Sequence, residues 1–315
     1  MSAILTGLWH LFIGKLYPPA NPTTSFAGKT ILITGANVGL GFEAAAKFVS
    51  LGAKTVIMGL DMNSYASIKS FAEKVNQELD QLDVVVLNAG LLNQSYKQSP
   101  EGWEETLQVN VLSTTLLALL LLPKLRASKT DTAGTPHLAF VSSGTHLSVQ
   151  PARVLVDGSV LDHLNSPDGF SGRQQYPISK LFVEYVMREI AALTRQPNGQ
   201  IDVIVNSLCP GLCWSDLARS FQRPIEHIGV AVFYGLCARS TEQGSRTLVS
   251  AVTQGEESHG RWWTNDEYPE SGRLVTNEEG KKLHKKVWNE ILDALRGVSP
   301  EADRLARAND SATQG

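Results

Sequence analysis

Cysteine is scarce, with three residues in a chain of 315. Cys209, Cys213 and Cys237 make no even-numbered framework, which excludes a disulfide-built fold and makes a reducing compartment the default. Cys209 and Cys213 stand four apart with no His or Cys nearby to complete a metal site, so they read as small buried residues and no metal is expected. An excess of one charge is also lacking. Formal net charge is -3, with 28 basic and 31 acidic residues mixed throughout. Without a basic stripe to neutralise phosphates, nucleic acid is excluded as the main partner.

Long apolar runs are missing too. The N-terminal stretch "ILTGLWHLFIG" (Ile4–Gly14) holds about eleven residues, too few to cross a bilayer. It has no basic flank and no small-residue cleavage site, so it does not read as a secretory signal. Two readings stay open for residues 4–14: a short helix packed on the domain, or a membrane-surface contact. The location expected is cytoplasmic, peripheral on a membrane in the second case. "YPPANPTT" follows as a linker, because its prolines forbid regular structure. "LLALLLL" (Leu116–Leu122) lies inside a longer periodic segment and reads as a buried helix.

What is present is an alternation. "KTILITG" is β-rich and ends in Gly, and a helix follows through "GFEAAAKFVSLG". "KTVIMG" reads as a second strand. "NSYASIKSFAEKVNQEL" sets Ile68, Phe71, Ala72, Val75 and Leu79 at helical spacing, with Asn63 as the expected N-cap. "DVVVLNAG", "HLAFVSS" and "IDVIVNSLCPG" are three further strands. Helices between and after them cover "WEETLQVNVLSTTLLALLLLPKL" and "YPISKLFVEYVMREIAAL". Near-continuous apolar strands alternating with helices imply a parallel sheet covered on both faces. "STEQGSRTLVSAV" reads as one more helix, "GRWW" as a short final strand. The tail from Val298 is polar and is expected to fray. No second domain appears: residues 1–25 are an apolar segment and linker, 26–297 the domain, 298–315 a flexible tail.

Two motifs carry chemistry. "TGANVGLG" (Thr34–Gly41) joins the first strand to the first helix. A parallel sheet binds nucleotides at the carboxyl ends of its strands, where a helix N-terminus meets the pyrophosphate. Glycines there remove Cβ atoms that would block the approach. Gly35, Gly39 and Gly41 are spaced G-x-x-x-G-x-G, and such glycines also serve packing. "YPISK" sets Tyr176 and Lys180 four apart on one helical face. A phenol near pKa 10 is a poor catalyst at neutral pH, and an adjacent ammonium would stabilise its anion. "FVSSG" supplies Ser142 and Ser143 at a strand end on the same edge as the glycine turn.

The set "TGANVGLG", "LNAG", "VNV", "VSS", "YPISK" and "PG", in that order, resembles the short-chain dehydrogenase/reductases from about Phe26 to Leu292. "SFAGKTILITGANVGLGFEAA" and "YPISKLFVEYVMREIAAL" are most similar to retinol-dehydrogenase-like members, many of them in fungal secondary metabolism. The resemblance implies a Rossmann-like doubly wound sheet and NAD(P)-dependent hydride transfer between a carbonyl and an alcohol. It implies Tyr176 as general acid/base, Lys180 as the residue that lowers its pKa and bonds the nicotinamide ribose, and Ser143 as the group polarising the carbonyl. Asn110 would hold a water linking Lys180 to solvent. Gly35, Asn37, Gly39, Leu40 and Gly41 would face the pyrophosphate, and Asn88, Ala89 and Gly90 would flank the cofactor. Gly211, the Leu212 backbone and Ser215 would meet the nicotinamide end. Leu87 stands where the family usually has a first Asn. A homo-oligomer paired through the long helices is implied by analogy.

Thirty-two residues separate Ser143 from Tyr176. A stretch this long reads as a lid lobe over 144–175. Its Leu147, Val149, Val154, Leu155, Val160 and Leu161 suit a hydrophobic small-molecule substrate, while His146 and His163 read as lobe structure.

Only 52 residues lie between Gly35 and Asn88. That stretch holds one helix, one strand, one helix and the next strand, so one βα unit of the family pattern is absent, with the join at Gly59–Leu60. Asp61 sits beside the join, 20 residues past Gly41. Spacing alone makes it the acid that bonds an adenosine ribose, which favours NAD(H). The family pattern instead assigns it to the strand after the gap and favours NADP(H), although no Lys or Arg lies between Gly59 and Ser67 to meet a 2′-phosphate. The oxidoreductase reading competes with a non-catalytic relative acting as a binding or scaffold protein, and with an epimerase or dehydratase on the same fold. Titrating NADPH and NADH against the purified chain separates these. Binding of at least one is expected, and failure of both would remove the enzyme reading.

Overall fold

Short, mostly apolar strands build one parallel sheet. The computed structural model of the chain describes residues 12–54, 58–130, 134–214 and 234–307. Its strands are β1 (Ile31–Ile33), β2 (Val84–Leu87), β3 (His137–Val141), β4 (Ile204–Leu208) and β5 (Trp262–Trp263), adjacent in that order and all parallel. Side chains alternate between faces. Val85, Leu87, Leu138, Phe140 and Val205 enter the larger core, while Val84, Val86, Ala139, Val141 and Leu208 enter the smaller one. Helices α1 (Gly39–Ser50) and α6 (Thr241–Ala251) cover the second face and pack on each other. The first face carries α2 (Tyr65–Glu78), α3 (Glu105–Ala127) and α5 (Gln175–Leu193). The short α4 (Val160–Leu164) lies in the segment before α5.

On the free side of β1, Lys54 makes a parallel bridge to Thr30. This is the start of the expected second strand, and residues 55–57 lie outside the described ones. The chain then crosses to β2, on the opposite side of β1, through the single helix α2. No strand stands between Lys54 and β2 among the described residues, as the missing βα unit requires. The reversal of direction at β1 is a switch point, where open sheets of this kind form a crevice.

The apolar pattern of α2 holds, with Ile68, Phe71, Ala72 and Val75 buried. Its N-cap is Ser64 rather than Asn63: Ser64 Oγ accepts from Ser67 N–H at 3.2 Å. Asn63 instead donates through Nδ2 to Glu105 at 3.1 Å, fastening the turn to α3. Helix α3 is long and apolar enough to cross a membrane, yet Leu116–Leu122 are all buried in the core. Within α3, Gln108–Ser113 is wound as a π-helix with Asn110 at its middle, a distortion frequent at functional sites.

Three C-terminal helices close the first face: α7 (Arg273–Thr276), α8 (Glu278–Arg296) and α9 (Pro300–Arg307). The expected frayed tail is therefore helical as far as Arg307. Ser299 Oγ accepts from Ala302 N–H at 3.3 Å, and Ala302 and Ala306 are buried where α9 meets α3 and α8. Alanines at i and i+4 give a weak hydrophobic signal, which is why composition hid this helix. Together α8 and α9 pack over α5 and α3.

Gly280 shows how tightly this end is packed. A Cβ there would stand 2.2 Å from Leu274 O, the same oxygen that accepts from Tyr185 Oη at 2.6 Å. Ala normally gains about 1 kcal/mol over Gly inside a helix. Overpacking against backbone costs about 1–3 kcal/mol. Gly280→Ala is expected to lower the thermal midpoint by several degrees, and a higher midpoint in a melting experiment would contradict this packing.

Candidate active site

The carboxyl edge of the sheet gathers the motifs. After β1, Gly35 (φ +65°) and Gly39 (φ +58°) take left-handed backbone that other residues adopt only with strain. The turn is tied to the end of β2. Asn88 N–H and Ala89 N–H both donate to Thr34 Oγ1, at 3.0 and 2.9 Å. Asn88 Nδ2 donates to Thr34 O at 2.9 Å and to Gly35 O at 3.3 Å. So Asn88 spends its side chain on shaping the turn. Helix α1 opens at Gly39 with no side-chain cap and no acid in its first turn, which leaves its N–H groups to meet an anion. A Cβ on Gly41 would stand 2.4 Å from Gly35 O and 2.6 Å from Asn88 Nδ2. One on Gly90 would stand 3.2 Å from Asn110 Oδ1 and 3.5 Å from Lys180 Nζ. The glycines thus make a cradle that side chains would fill, and its residues fit a dinucleotide.

Helix α5 brings Tyr176 and Lys180 beneath this edge. Lys180 Nζ donates to Val141 O at 2.8 Å and lies 5.5 Å from the centroid of the Tyr176 ring. Burial lowers the Lys180 ammonium to about 8, with Cys209 and then Glu184 acting against that fall. Burial pushes the Tyr176 phenol well above its ordinary value, the neighbouring Cys209 adds to this, and a hydrogen bond with Ser143 works against it. The expected lowering by Lys180 is not what governs this phenol, because the ammonium is turned to Val141 O and desolvation outweighs it.

The two serines after β3 have different surroundings. Ser142 is buried, its N–H donating to Leu208 O at 2.7 Å, so it serves the sheet. Ser143 is partly exposed at the start of the turn 144–148, and its Oγ is the hydrogen-bonding neighbour of Tyr176. Thr145 donates to the same Oγ from its hydroxyl at 3.0 Å and from its N–H at 3.3 Å. Asn110 donates from Nδ2 to Leu91 O at 2.9 Å and to Ser179 Oγ at 3.0 Å, and its Oδ1 accepts from Leu91 N–H at 2.9 Å. Both amide protons are spent, so the side chain orders the floor of the site and has one lone pair left for a water.

After β4, Gly211 (φ +80°) and Leu212 are fixed by Arg239, itself buried. Arg239 N–H donates to Leu212 O at 2.8 Å. Its guanidinium donates to Pro210 O at 3.3 Å, to Gly14 O at 2.6 Å and to Asn265 Oδ1 at 2.6 Å. Ser215 lies outside the described residues, as does most of the stretch 4–14. Asp61 is exposed and its hydrogen bonds run to the start of α2. Its Oδ1 accepts from Asn63 N–H at 2.9 Å, and its own N–H donates to Ser67 Oγ at 2.9 Å.

Sequence reasoning passed over three residues here. Cys209 Sγ accepts from Gly144 N–H at 3.2 Å and from Gly211 N–H at 3.4 Å, bridging the loops after β3 and β4. Glu184 lies wholly buried one turn beyond Lys180, and only its four-residue spacing from that lysine pointed to it. Arg239 had no sequence signal, since its partners are distant backbone oxygens. In the lobe, Val149, Val154, Val160 and Leu161 belong to the core, and only Leu147 and Leu155 of the six apolar residues are exposed. Trp214 supplies exposed apolar surface after β4, its ring 5.3 Å from that of Tyr234. A cavity of about 260 Å³ beside α5 is lined by His146, Leu147, Val149 and Leu181. Another of about 260 Å³ lies between α5 and α8 around Glu189 and His284, and holds none of the residues gathered at the sheet edge.

A family model described as enoyl-(acyl carrier protein) reductase matches residues 24–149. The chain is 45% identical to the short-chain dehydrogenase/reductase ffsI of Aspergillus flavipes, over 92% of both chains. It is also 45% identical to the short-chain dehydrogenase/reductase phmF of Phaeosphaeria nodorum, over 92% of this chain and 93% of that one. Among solved structures, it is similar in fold to a 3-ketoacyl-(acyl-carrier-protein) reductase from Brucella melitensis complexed with NADH. The TM-score is 0.57 at 18% identity, covering 76% of this chain and 97% of that one. A short-chain dehydrogenase from Shigella flexneri complexed with NADP gives a TM-score of 0.55 at 21% identity, covering 78% of this chain and all of that one.

The cradle yields a direct test. Gly41→Ala must either shift α1 or break the lock between Thr34 and Asn88. Overpacking of about 1–3 kcal/mol is expected to weaken dinucleotide binding by about tenfold or more. Calorimetric titration of wild type and variant measures it, and equal affinities would remove the cradle from the binding site.

Proposed function

This chain belongs to the short-chain dehydrogenase/reductase family, and from that premise we propose that it interconverts a carbonyl and an alcohol on a hydrophobic small molecule. It is an NAD(P)-dependent oxidoreductase. The bound dinucleotide supplies or accepts a hydride. Gly35, Asn37, Gly39, Leu40 and Gly41 would hold its pyrophosphate end, with Asn88, Ala89 and Gly90 along its flank and Gly211, Leu212 and Ser215 at the nicotinamide. Lys180 and Tyr176 would face the nicotinamide ribose. Asp61, at the open adenosine end, would disfavour a 2′-phosphate by charge, which leans the choice toward NAD(H) against the family's NADP(H) habit.

Tyr176 is the proton donor in this reading. Burial holds its phenol protonated, so the site is set to give a proton to a carbonyl oxygen as that oxygen gains charge. Ser143 donates a hydrogen bond to the same oxygen. Lys180 is the cation that stabilises the phenolate left behind, and Asn110 keeps Gly90 and Ser179 in place around it. The observation that carries the reading is Tyr176 with Ser143 as its neighbour and Lys180 5.5 Å from its ring centroid, at the same sheet edge as the glycine cradle. Trp214 and Tyr234 support a hydrophobic substrate, because they put aromatic surface beside that edge. The lobe 144–175 would act as the lid, with Leu147 and Leu155 as its exposed apolar residues. The fungal relatives support a step in a secondary-metabolite pathway. Residues 4–14, if they contact a membrane surface, would bring such a substrate close.

Tyr176→Phe removes only the hydroxyl. Turnover of a panel of hydrophobic ketones and aldehydes, followed by oxidation of the reduced nicotinamide, is expected to fall by about 10²–10⁴-fold. A thermal melt checks that the variant is folded, and turnover equal to wild type would refute the proton transfer.

A further inference from the structure

Helix α5 carries Lys180, Glu184 and Arg188 at four-residue intervals, so the three stack on one face as a column of alternating charge. Glu184 is 0% exposed. Its Oε2 accepts from Ser207 Oγ at 3.0 Å, while its Oε1 is buried without a hydrogen-bond partner. Ser207 stands in register with Trp262, so both side chains leave the sheet toward α5. Trp262 packs edge-on against His146, with centroids 4.7 Å apart, and His146 Nδ1 lies 2.7 Å from Ser143 O. Glu184 therefore sits at the base of a buried set that reaches both Ser143 and Lys180.

A buried carboxylate is costly unless a cation answers it. Of the two cations one turn away, Arg188 is partly exposed and directs Nη2 to Ser271 Oγ at 2.8 Å, its Nε being buried without a hydrogen-bond partner, whereas Lys180 is buried. Lys180 makes its hydrogen bond with a neutral acceptor, Val141 O. We propose that Glu184 is a positioning residue, the counter-charge that keeps Lys180 an ammonium at the sheet edge. The inference rests on the reading of Lys180 given above and extends it. Burial alone drives a lysine toward its neutral form, and Cys209 and then Glu184 act in the opposite sense.

The other titratable or charged groups around α5 are few. Tyr176 and Arg188 share its own face. Cys209 approaches from the end of β4, and His146 from the turn after β3. The N-cap of α3, Glu104, accepts from Gln175 Nε2 at 2.8 Å, a turn before Lys180. Helix α8 presents His284 to Glu189, and Arg273 of α7 lines the cavity beside Leu181. The π-helical segment of α3 carries no charge.

The test is a titration of Lys180 itself in the full chain. Lysine labelled with ¹³C at Cε is followed by NMR against pH, the Lys180 resonance being assigned from its loss in Lys180→Met. Wild type is expected to titrate near 8. Glu184→Gln keeps the shape and the bond to Ser207 but removes the charge, and its midpoint is expected to fall by about one unit or more. A midpoint unchanged in folded Glu184→Gln would overturn the proposal. Should that variant not fold, Cys209→Ala decides. A midpoint that stays near wild type leaves Glu184 as the counter-charge, whereas a fall of about one unit or more assigns that role to Cys209 and overturns the proposal. None of these titrations needs turnover, so a failure of cofactor binding would count against the enzyme reading alone.

Discussion

A lysine ammonium held inside the protein, 4% exposed, constrains everything around it. Taking such a charge out of water is expensive, and the surroundings must answer it with dipoles, counter-charge and close packing. Val141 ends β3 with its carbonyl aimed at Nζ, which fixes the height of α5 against the sheet. Gly90 lets the loop after β2 come down on the same atom. Asn110, placed by a π-helical turn, pins that loop through both Leu91 backbone groups and reaches Ser179 beside the lysine. The sheet edge, the π-helix and α5 are thus three supports of one buried cation. Tyr176 sits over that cation by its ring face, in the same dry environment that keeps its phenol protonated.

Much of this was readable from residues. The strand run "DVVVLN" and the periodic Ile68, Phe71, Ala72 and Val75 gave the sheet and its covering helices, because burial on one or both faces leaves a period that can be counted. "GRWW" gave β5 as a bare two-residue strand. The conjunction of Gly35, Gly39 and Gly41 with Tyr176 and Lys180 pointed to the candidate site, since those motifs are local in sequence. What stayed hidden is nonlocal or weakly apolar. Arg239 binds the backbone oxygen of Gly14, 225 residues away, and no spacing rule anticipates that. The α9 stripe is two alanines. Val154 and Val160 looked like a substrate wall because apolar residues in a loop carry no label for core or cleft. Asn63 lost the cap to its neighbour Ser64 because Glu105 competed for its amide.

The absent βα unit shows how tolerant a parallel sheet is at its margin. Removing a strand beside Lys54 leaves β1 to β5 and both cores in place, since the crossover through α2 still reaches β2 from the far side of β1. The candidate site draws on α3, α5 and the ends of β3 and β4, all of them in place. Asp61 illustrates the other side of this. Its carboxylate organises the entry to α2 through Asn63, so the residue has a structural task whether or not a ribose ever meets it.

Helices α8 and α9 fold back over α5 and α3, and those two long helices end up as interior rather than surface. The chain's own C-terminal helices cover them. Selection on Leu119, Tyr185 or Ile190 is then selection on the packing of this core. Such positions can drift in volume-compensating sets with Val287, Ile291 and Ala302, all within a single reading frame.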